Sequence, residues 1–369
     1  MNFVKIHNKP LVFATLTLAL FGILMQYCAS SYFALKETGD AFFYAKKQSL
    51  ALVVALVAFV AVQWLNVDKL KKYKWWIVGF SCLILTFVFI PGFGVEKYGA
   101  KRWINLGFTT LQPSEISKFG LIIFIAGVLS ERSSNKFKTM IPIFCATATM
   151  CALIMLQPNM SITMCIGIVC MIMLFVGGTT LKQFAVMALP LVALVVALIL
   201  LEPYRLKRLM AFVDPWASPL GEGYQLIQSY YALGAGGLFG VGLFNSRQKY
   251  LFLPFAESDF ILAIIGEELG LFGCLFVVIL FLVIVWQGGK IALQASTRMQ
   301  AYTACGIVSI IAVQALLNIA VVSGAIPPTG LPLPFVSAGG SSLVVFVSGV
   351  GILENICAHS QQNVIAHNM

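Results

Sequence analysis

Charge is scarce in this sequence. Asp, Glu, Lys and Arg together make up 10% of its 369 residues, against 60% hydrophobic residues. A soluble domain carries roughly 25% charged residues, so this shortage excludes a chain folded around one water-washed core and makes the membrane its solvent. Long polar stretches are also lacking, which excludes an appended soluble domain. Histidine is almost absent: the three present, His7, His359 and His367, all lie near the termini. Neither histidine base chemistry nor a histidine-ligated metal is therefore available inside a membrane fold. The nine cysteines fall within or beside apolar runs and lack zinc-ligand spacing. They read as small hydrophobes packed between helices. Strong inverted repeats and low-complexity segments are missing too.

What is there is a series of apolar runs. A helix crossing roughly 30 Å of hydrocarbon needs about 20 apolar residues. Runs of this kind lie near 11–33, 48–66, 75–92, 114–130, 139–156, 161–177, 183–201, 259–287, 301–325 and 337–356. The pattern predicts an all-α integral membrane protein of about ten transmembrane helices, a single polytopic domain over 1–369, with a long loop, 202–258, between helices 7 and 8. The first run is too long for a signal-peptide core and more spans follow, so it is expected to be retained.

The net charge of +10 does not point to nucleic acid. The basic residues sit in short clusters between apolar runs, where they set orientation and meet anionic lipid. With the N-terminus inside, the inner segments hold Lys5, Lys9, Lys69, Lys71, Lys72, Lys74, Arg132, Lys136, Lys138, Lys182, Lys290 and Arg298. The short outer loops hold only Lys36, Lys46, Lys47, Lys97, Lys101 and Arg102. This bias places both termini in the cytoplasm. The three least ordinary segments, 97–118, 204–259 and 326–342, then all fall on the outer face, as expected for an enzyme or receptor working there.

In the first segment, Arg102 and Trp103 precede Pro113, Ser114, Glu115 and Lys118. Pro113 suits a first helical turn. Glu115 and Lys118, three apart, share a helix face and can pair. Ionisable groups at membrane depth point to function or to a structural ion pair; both readings stand. Arg102 and Trp103 could grip a phosphate or anchor a helix end.

The second segment holds Arg208, Tyr224 and Gln225, a glycine run from Gly234 to Gly242, then Gln248, Lys249 and Asp259. The glycines lack dinucleotide-loop spacing and are read as permitting tight turns and close approach to a headgroup. Ser258 or Asp259 could cap the eighth helix, or Asp259 could act as a general base, the natural role for a carboxylate where no histidine is at hand. Glu267 and Glu268 lie about two turns deeper and either bond neighbouring helices or act directly. In the third segment four prolines precede Gly339, Gly340, Ser341 and Ser342. Free amides opening the last helix could bind an anion, or the small residues could serve close packing.

Together these pieces resemble a known family. Lys101-Arg102-Trp103-Ile104 with Pro113-Ser114-Glu115, Gly223-Tyr224-Gln225, Ser258-Asp259-Phe260 with Glu267-Glu268-Leu269-Gly270, and the run Pro334 to Ser342 are similar to the signature segments of the SEDS family of peptidoglycan glycosyltransferases. The resemblance covers almost the whole chain, in order. Asn245 to Lys249 is more similar to the FtsW and sporulation branch than to RodA. The resemblance implies a ten-helix fold in the bacterial cytoplasmic membrane and polymerisation of lipid II on its outer face. It further implies release of undecaprenyl diphosphate with inversion and a class B penicillin-binding protein as partner, beside other divisome or elongation proteins.

The family's critical aspartate maps onto Asp259, the expected catalytic residue. Its usual Glu-Ala-His-Thr prelude is replaced by Phe255-Ala256-Glu257-Ser258. The extra acid, Glu257, is expected to raise the Asp259 pKa by like-charge repulsion. Arg102, Lys118 and Arg208 would neutralise the departing diphosphate. Trp103, Glu115, Tyr224, Gln225, Gln248, Lys249, Ser341 and Ser342 are the remaining substrate-binding candidates, with Glu267 and Glu268 in support. A divalent cation, Mg or Mn, would be compatible with this chemistry, although the acids are too few to define its site. The polymerase is expected to act in cell division, with an elongation-type, RodA-like polymerase as the alternative. Two other readings keep the same residues: a transporter that flips a lipid-linked precursor, and a scaffold that only recruits a transpeptidase.

Overall fold

The computed structural model describes residues 6–97, 100–105, 107, 110–131, 137–180, 182–186, 189 and 203–367. Among them, the membrane-length helices run α1 (Lys9–Thr38), α2 (Phe43–Val62), α3 (Val67–Thr86), α4 (Pro113–Glu131), α5 (Phe137–Leu156) and α6 (Met160–Val176). Two shorter helices follow, α7 (Pro203–Val213) and α8 (Tyr224–Gly236), then α9 (Ile261–Gln294), α10 (Arg298–Val322) and α11 (Gly340–His367). Eight helices are long and apolar enough to cross a membrane, and α6 is a shorter apolar helix. The expected span 183–201 lies largely outside the described residues.

Short polar caps set the starts. Asn8, Asn66, Asn159 and Thr297 each accept a backbone N–H in the first turn of α1, α3, α6 and α10, satisfying donors that a helix start leaves orphaned. Pro113 opens α4, as its spacing predicts. The all-helical expectation needs one addition: between α3 and α4 the chain forms an antiparallel sheet of β1 (Gly94–Lys97), β2 (Ala100–Asn105) and β3 (Thr110–Leu111). Helix α4 is the most enclosed span, packed against α3 and α10, while α2 packs on α11 and α1 on α9.

Both ends of the chain meet at one end of the bundle. The His7 and Asn8 amides donate to the Glu354 carboxylate at 2.8 and 3.1 Å, and Asn8 Nδ2 donates to Gln287 near the end of α9 at 3.2 Å. The start of α9, and Asp259 just before it, therefore lie at the opposite end.

Helix α9 is broken where the sequence predicts a continuous span. Gly270 adopts φ 66°, ψ −161°, which only glycine takes readily. In an intact helix the Leu271 and Phe272 amides would bond the Glu267 and Glu268 carbonyls. Here they bond the Gly237 and Leu238 carbonyls at 2.9 and 3.3 Å, and the freed Glu267 and Glu268 carbonyls take the Val241 and Gly242 amides at 2.9 and 3.0 Å. The glycine-rich segment is thus spliced into the helix, and these four backbone groups find new partners where an apolar surrounding requires them. Gly240 has φ +82°, and a Cβ there would lie 2.1 Å from the Glu268 carbonyl oxygen. Gly240→Ala is expected to cost about 1–3 kcal/mol, read as a lower unfolding midpoint of the purified protein. An unchanged midpoint would count against the splice.

Candidate active site

The three segments singled out by the sequence converge at the end of the bundle opposite the termini. Asp259 lies in the loop ahead of α9, half-buried. The N-cap position of α9 is Phe260, with no side-chain cap bond, so neither Ser258 nor Asp259 caps the helix and the capping reading falls. The Asp259 carboxylate instead accepts the Ser258 hydroxyl at 2.8 Å. Gly330, at φ +75°, sits so close that a Cβ would lie 3.1 Å from Oδ2.

The main chain around the aspartate is held at three successive carbonyls. Glu257 O accepts the Ala338 amide at 3.0 Å. Ser258 O accepts the Ser337 hydroxyl at 2.5 Å. Asp259 O accepts Asn318 Nδ2 at 2.8 Å. The proline-rich segment before α11 is therefore a wall against which the aspartate is set. Ser161 on α6 adds a bond from its hydroxyl to the Thr329 carbonyl.

Two arginines from separate segments act on this carboxylate. Burial pushes the Asp259 pKa above the ordinary carboxylate value, while the Ser258 bond and then the positive fields of Arg102 and Arg208 pull it back. Glu257 is also pushed up, first by burial and then by repulsion from Asp259 and Glu37, against its own backbone bond. The rise expected at Asp259 is present, but dehydration, not Glu257, is its leading cause. Arg102, on β2, donates Nε to the Gln157 carbonyl at 3.1 Å and an Nη to the Pro158 carbonyl. Trp103 is its neighbour on the strand, cross-paired with Val95, so by strand alternation its side chain leaves on the other face. Arg208, on α7, faces Glu222 at 3.7 Å.

A cavity of about 840 Å³ lies between α7, the start of α8 and the loop at Pro254 and Phe255. Lys207, Arg208, Glu222, Tyr224 and Gln225 contribute to its lining, and Gln225 Nε2 reaches the Pro254 carbonyl at 3.5 Å. Arg208, Tyr224 and Gln225 are thus brought together, with Asp259 a few residues beyond the cavity wall. Met210 and Val213 of α7 are exposed beside its cations, the character of a helix lying at an interface.

The other candidates divide. Glu115 and Lys118 form the anticipated pair at 2.9 Å, with side chains 1% and 0% exposed. Lys118 Nζ also donates to Gln314 Oε1 at 2.7 Å and lies 5.0 Å from the Phe346 ring centre. Ser341 and Ser342 open α11; the Ser341 hydroxyl accepts the Gln112 amide at 3.4 Å, and Ser342 is buried.

Gln248 and Lys249 sit elsewhere, in a clasp on Glu267 and Glu268. Glu267 accepts the Ser246 hydroxyl at 2.5 Å and the Arg247 and Gln248 amides at 2.9 and 3.4 Å. Glu268 accepts the Phe244 and Ser246 amides at 3.0 and 3.2 Å and Lys249 Nζ at 3.4 Å. The two acids hold the 244–249 segment of the loop rather than a neighbouring helix, and the glycines approach the α9 backbone. Lys249 is buried and bonds the Phe244 carbonyl as well. Among the described residues no three His, Cys, Asp or Glu side chains gather as metal ligands.

Sequence reasoning passed over Gln314 and Asn318, and it held Gly330 and Ser337 only as members of the proline-rich third segment. The available signal was an amide pair spaced i, i+4 on the apolar α10, which puts both on one face.

The sequence profile of the Cell cycle protein family, covering FtsW, RodA and SpoVE, matches residues 9–362. Stage V sporulation protein E of Bacillus subtilis is 40% identical over 359 residues, covering 95% of this chain and 97% of that protein. The "Probable peptidoglycan glycosyltransferase FtsW" of Geobacter metallireducens is 36% identical over 361 residues, covering 96% of each. A chain of the solved structure described as "Structural coordination of polymerization and crosslinking by a peptidoglycan synthase complex" superposes with TM-score 0.80 at 26% identity, over 98% of this chain and all, 100%, of that one. The rod shape determining protein RodA of Thermus thermophilus shares the fold, with TM-score 0.71 at 23% identity over 97% of this chain and 98% of its own.

Proposed function

The chain belongs to the Cell cycle protein family of FtsW, RodA and SpoVE, and from that membership we propose that it is a peptidoglycan glycosyltransferase that joins lipid II units into glycan strands. It is a multi-pass membrane protein. The proposal places it in the bacterial cytoplasmic membrane with both termini inside and Asp259 on the outer face, acting in division or sporulation beside a class B penicillin-binding protein and other wall-synthesis proteins. The observation that carries it is Asp259, its pKa raised by burial yet within the fields of Arg102 and Arg208, a few residues along the chain from the Pro254–Phe255 rim of a cavity lined by Lys207, Arg208, Asp214 and Glu222.

In this reading the Asp259 carboxylate takes the proton from the acceptor sugar hydroxyl. The freed oxygen attacks the anomeric carbon of the growing chain, a new C–O bond forms with inversion, and the bond to diphosphate breaks. Undecaprenyl diphosphate leaves with the bonding electrons, its charge met by Arg102 and Arg208. Tyr224 and Gln225 line the route of the headgroup. No step is routed through a metal ion; Mg or Mn would arrive on the diphosphate rather than in a protein cage.

The test is polymerisation of labelled lipid II by the purified chain together with its partner transpeptidase. Glycan polymer supports the reading. Movement of lipid II across liposomes without a new glycosidic bond would replace it with the transporter, and neither activity from a folded complex would leave the scaffold.

A further inference from the structure

We infer that Asn318, near the C-terminal end of α10, is a positioning residue that sets the gap between Asp259 and the Gly330–Leu331 wall facing it, an inference that rests on the polymerase reading above. Its side chain is 1% exposed as part of the buried polar set. One amide nitrogen, Nδ2, has two hydrogens, and the structure gives each a carbonyl. One goes to Asp259 O at 2.8 Å, the other to Leu331 O at 2.7 Å. Leu331 directly follows Gly330, whose α-carbon stands against Asp259 Oδ2. The Asn318 amide therefore ties the aspartate's own carbonyl to the wall residue next to Gly330.

The frame continues beneath. Gln314, one turn away on the same face of α10, donates Nε2 to the Pro332 carbonyl at 2.9 Å and accepts Lys118 Nζ at 2.7 Å. The Lys118 ammonium is fixed in turn by Glu115. Consecutive carbonyls of the proline-rich wall, Leu331 and Pro332, are thus held by two rungs of one helix, and the lower rung is anchored by the buried ion pair. Backbone carbonyls in a proline-rich segment need such outside donors, because proline offers no N–H of its own. Ser337 supplies the second tie across the gap: its hydroxyl donates to Ser258 O at 2.5 Å and accepts the Leu333 amide at 2.8 Å. Lys118 and Glu115 then serve the aspartate through Gln314 and Asn318 without touching substrate.

A base displaced by as little as 1 Å can lose about a hundredfold in rate, whereas the lipid and headgroup contacts that set KM lie elsewhere. The test measures polymerisation rate against lipid II concentration for the complex carrying Asn318→Leu or Asn318→Asp. Each keeps the size and removes the paired donors. The expected result is a kcat lower by about tenfold or more with KM within about twofold of wild type, in protein whose amount and unfolding midpoint are checked. Ser337→Ala and Ser337→Thr form an independent pair. Alanine loses the tie and is expected to lower kcat, while threonine retains the hydroxyl and is expected to restore it; this pair decides the matter should the Asn318 variants not fold. Wild-type kcat in a folded Asn318→Leu complex, or equal rates for Ser337→Ala and Ser337→Thr, would overturn the inference while leaving the polymerase intact. Absence of polymer from the wild-type complex would overturn the polymerase reading itself, and the inference with it.

Discussion

Asp259→Asn is expected to abolish polymer formation while making the folded protein more stable at neutral pH. The two effects have one cause. The substitution keeps the shape of the side chain and an oxygen to accept the Ser258 hydroxyl, but no longer takes a proton. General-base catalysis contributes typically 10²–10⁴-fold, so loss of about a hundredfold or more in rate is the result expected in the lipid II assay. Retention of full activity would remove Asp259 from the role of base.

The stability half follows from the sign of the pKa shift. Burial raises the Asp259 pKa, so the folded state holds its proton more tightly than the unfolded chain. Where the folded state binds more protons, stability falls as pH rises. Ionised Asp259 at neutral pH is therefore a destabilising element, which a neutral amide relieves. The same shift places the acidic limb of the rate profile above the ordinary carboxylate range, because the base works only when ionised. On acidification through that limb the wild-type rate should drop while the Asp259 contribution to stability recovers. Thermal midpoints and rates measured over one pH series check both signs. A variant that loses activity and stability together would argue instead that Asp259 holds the loop.

Which of these features could be read from the amino-acid order depends on how local their cause is. A membrane span is a local property, about 20 apolar residues in a row, and α4, α5, α6 and α10 stand within a few residues of their expected places. Helices α1 and α11 run longer, and α2 and α3 start earlier, α3 at Val67 where the apolar run predicts 75, because its basic first turns are helical too. The Glu115–Lys118 pair is local as well, since spacing i, i+3 alone brings the groups together. The break at Gly270 is not. A glycine in an apolar helix is ordinary, and what opens the helix there is a segment about thirty residues earlier whose amides replace those of the helix itself. Lys249 has the same difficulty: a cation in an outer loop suggests a phosphate, but its partner is Glu268, buried two turns down α9. Asn318 gave the weakest signal of all. One amide among apolar residues carries no motif, and its significance appears only when the proline-rich segment folds back onto α10. The catalytic candidate was legible from its motif, whereas the frame that holds it is built from long-range bonds to backbone carbonyls that no side-chain pattern announces.

Lys118→Met is the substitution expected to harm folding most. The ammonium sits among the Glu115 carboxylate, the Gln314 carbonyl oxygen and the Phe346 ring, in the second turn of the most enclosed span. Removing it leaves Glu115 charged, fully buried and unpaired, a change that typically costs 3–5 kcal/mol. That is a large part of the roughly 5–15 kcal/mol by which folded proteins are stable, so a sharply lower unfolding midpoint or loss of folded protein is expected. Glu115→Gln with Lys118→Met removes both charges, and replacing a buried pair by groups of similar volume is often close to neutral for folding. The double variant should therefore recover most of the lost stability. Activity should not follow it back, because Gln314 still lacks the donor that fixes its amide under the Pro332 carbonyl. The midpoints and polymerisation rates of the two singles and the double form a cycle in which stability is strongly coupled and rate is not. Recovery of rate together with stability would mean that the pair serves the fold alone; failure of both would mean that the lysine is needed for the packing of α4 beyond its charge.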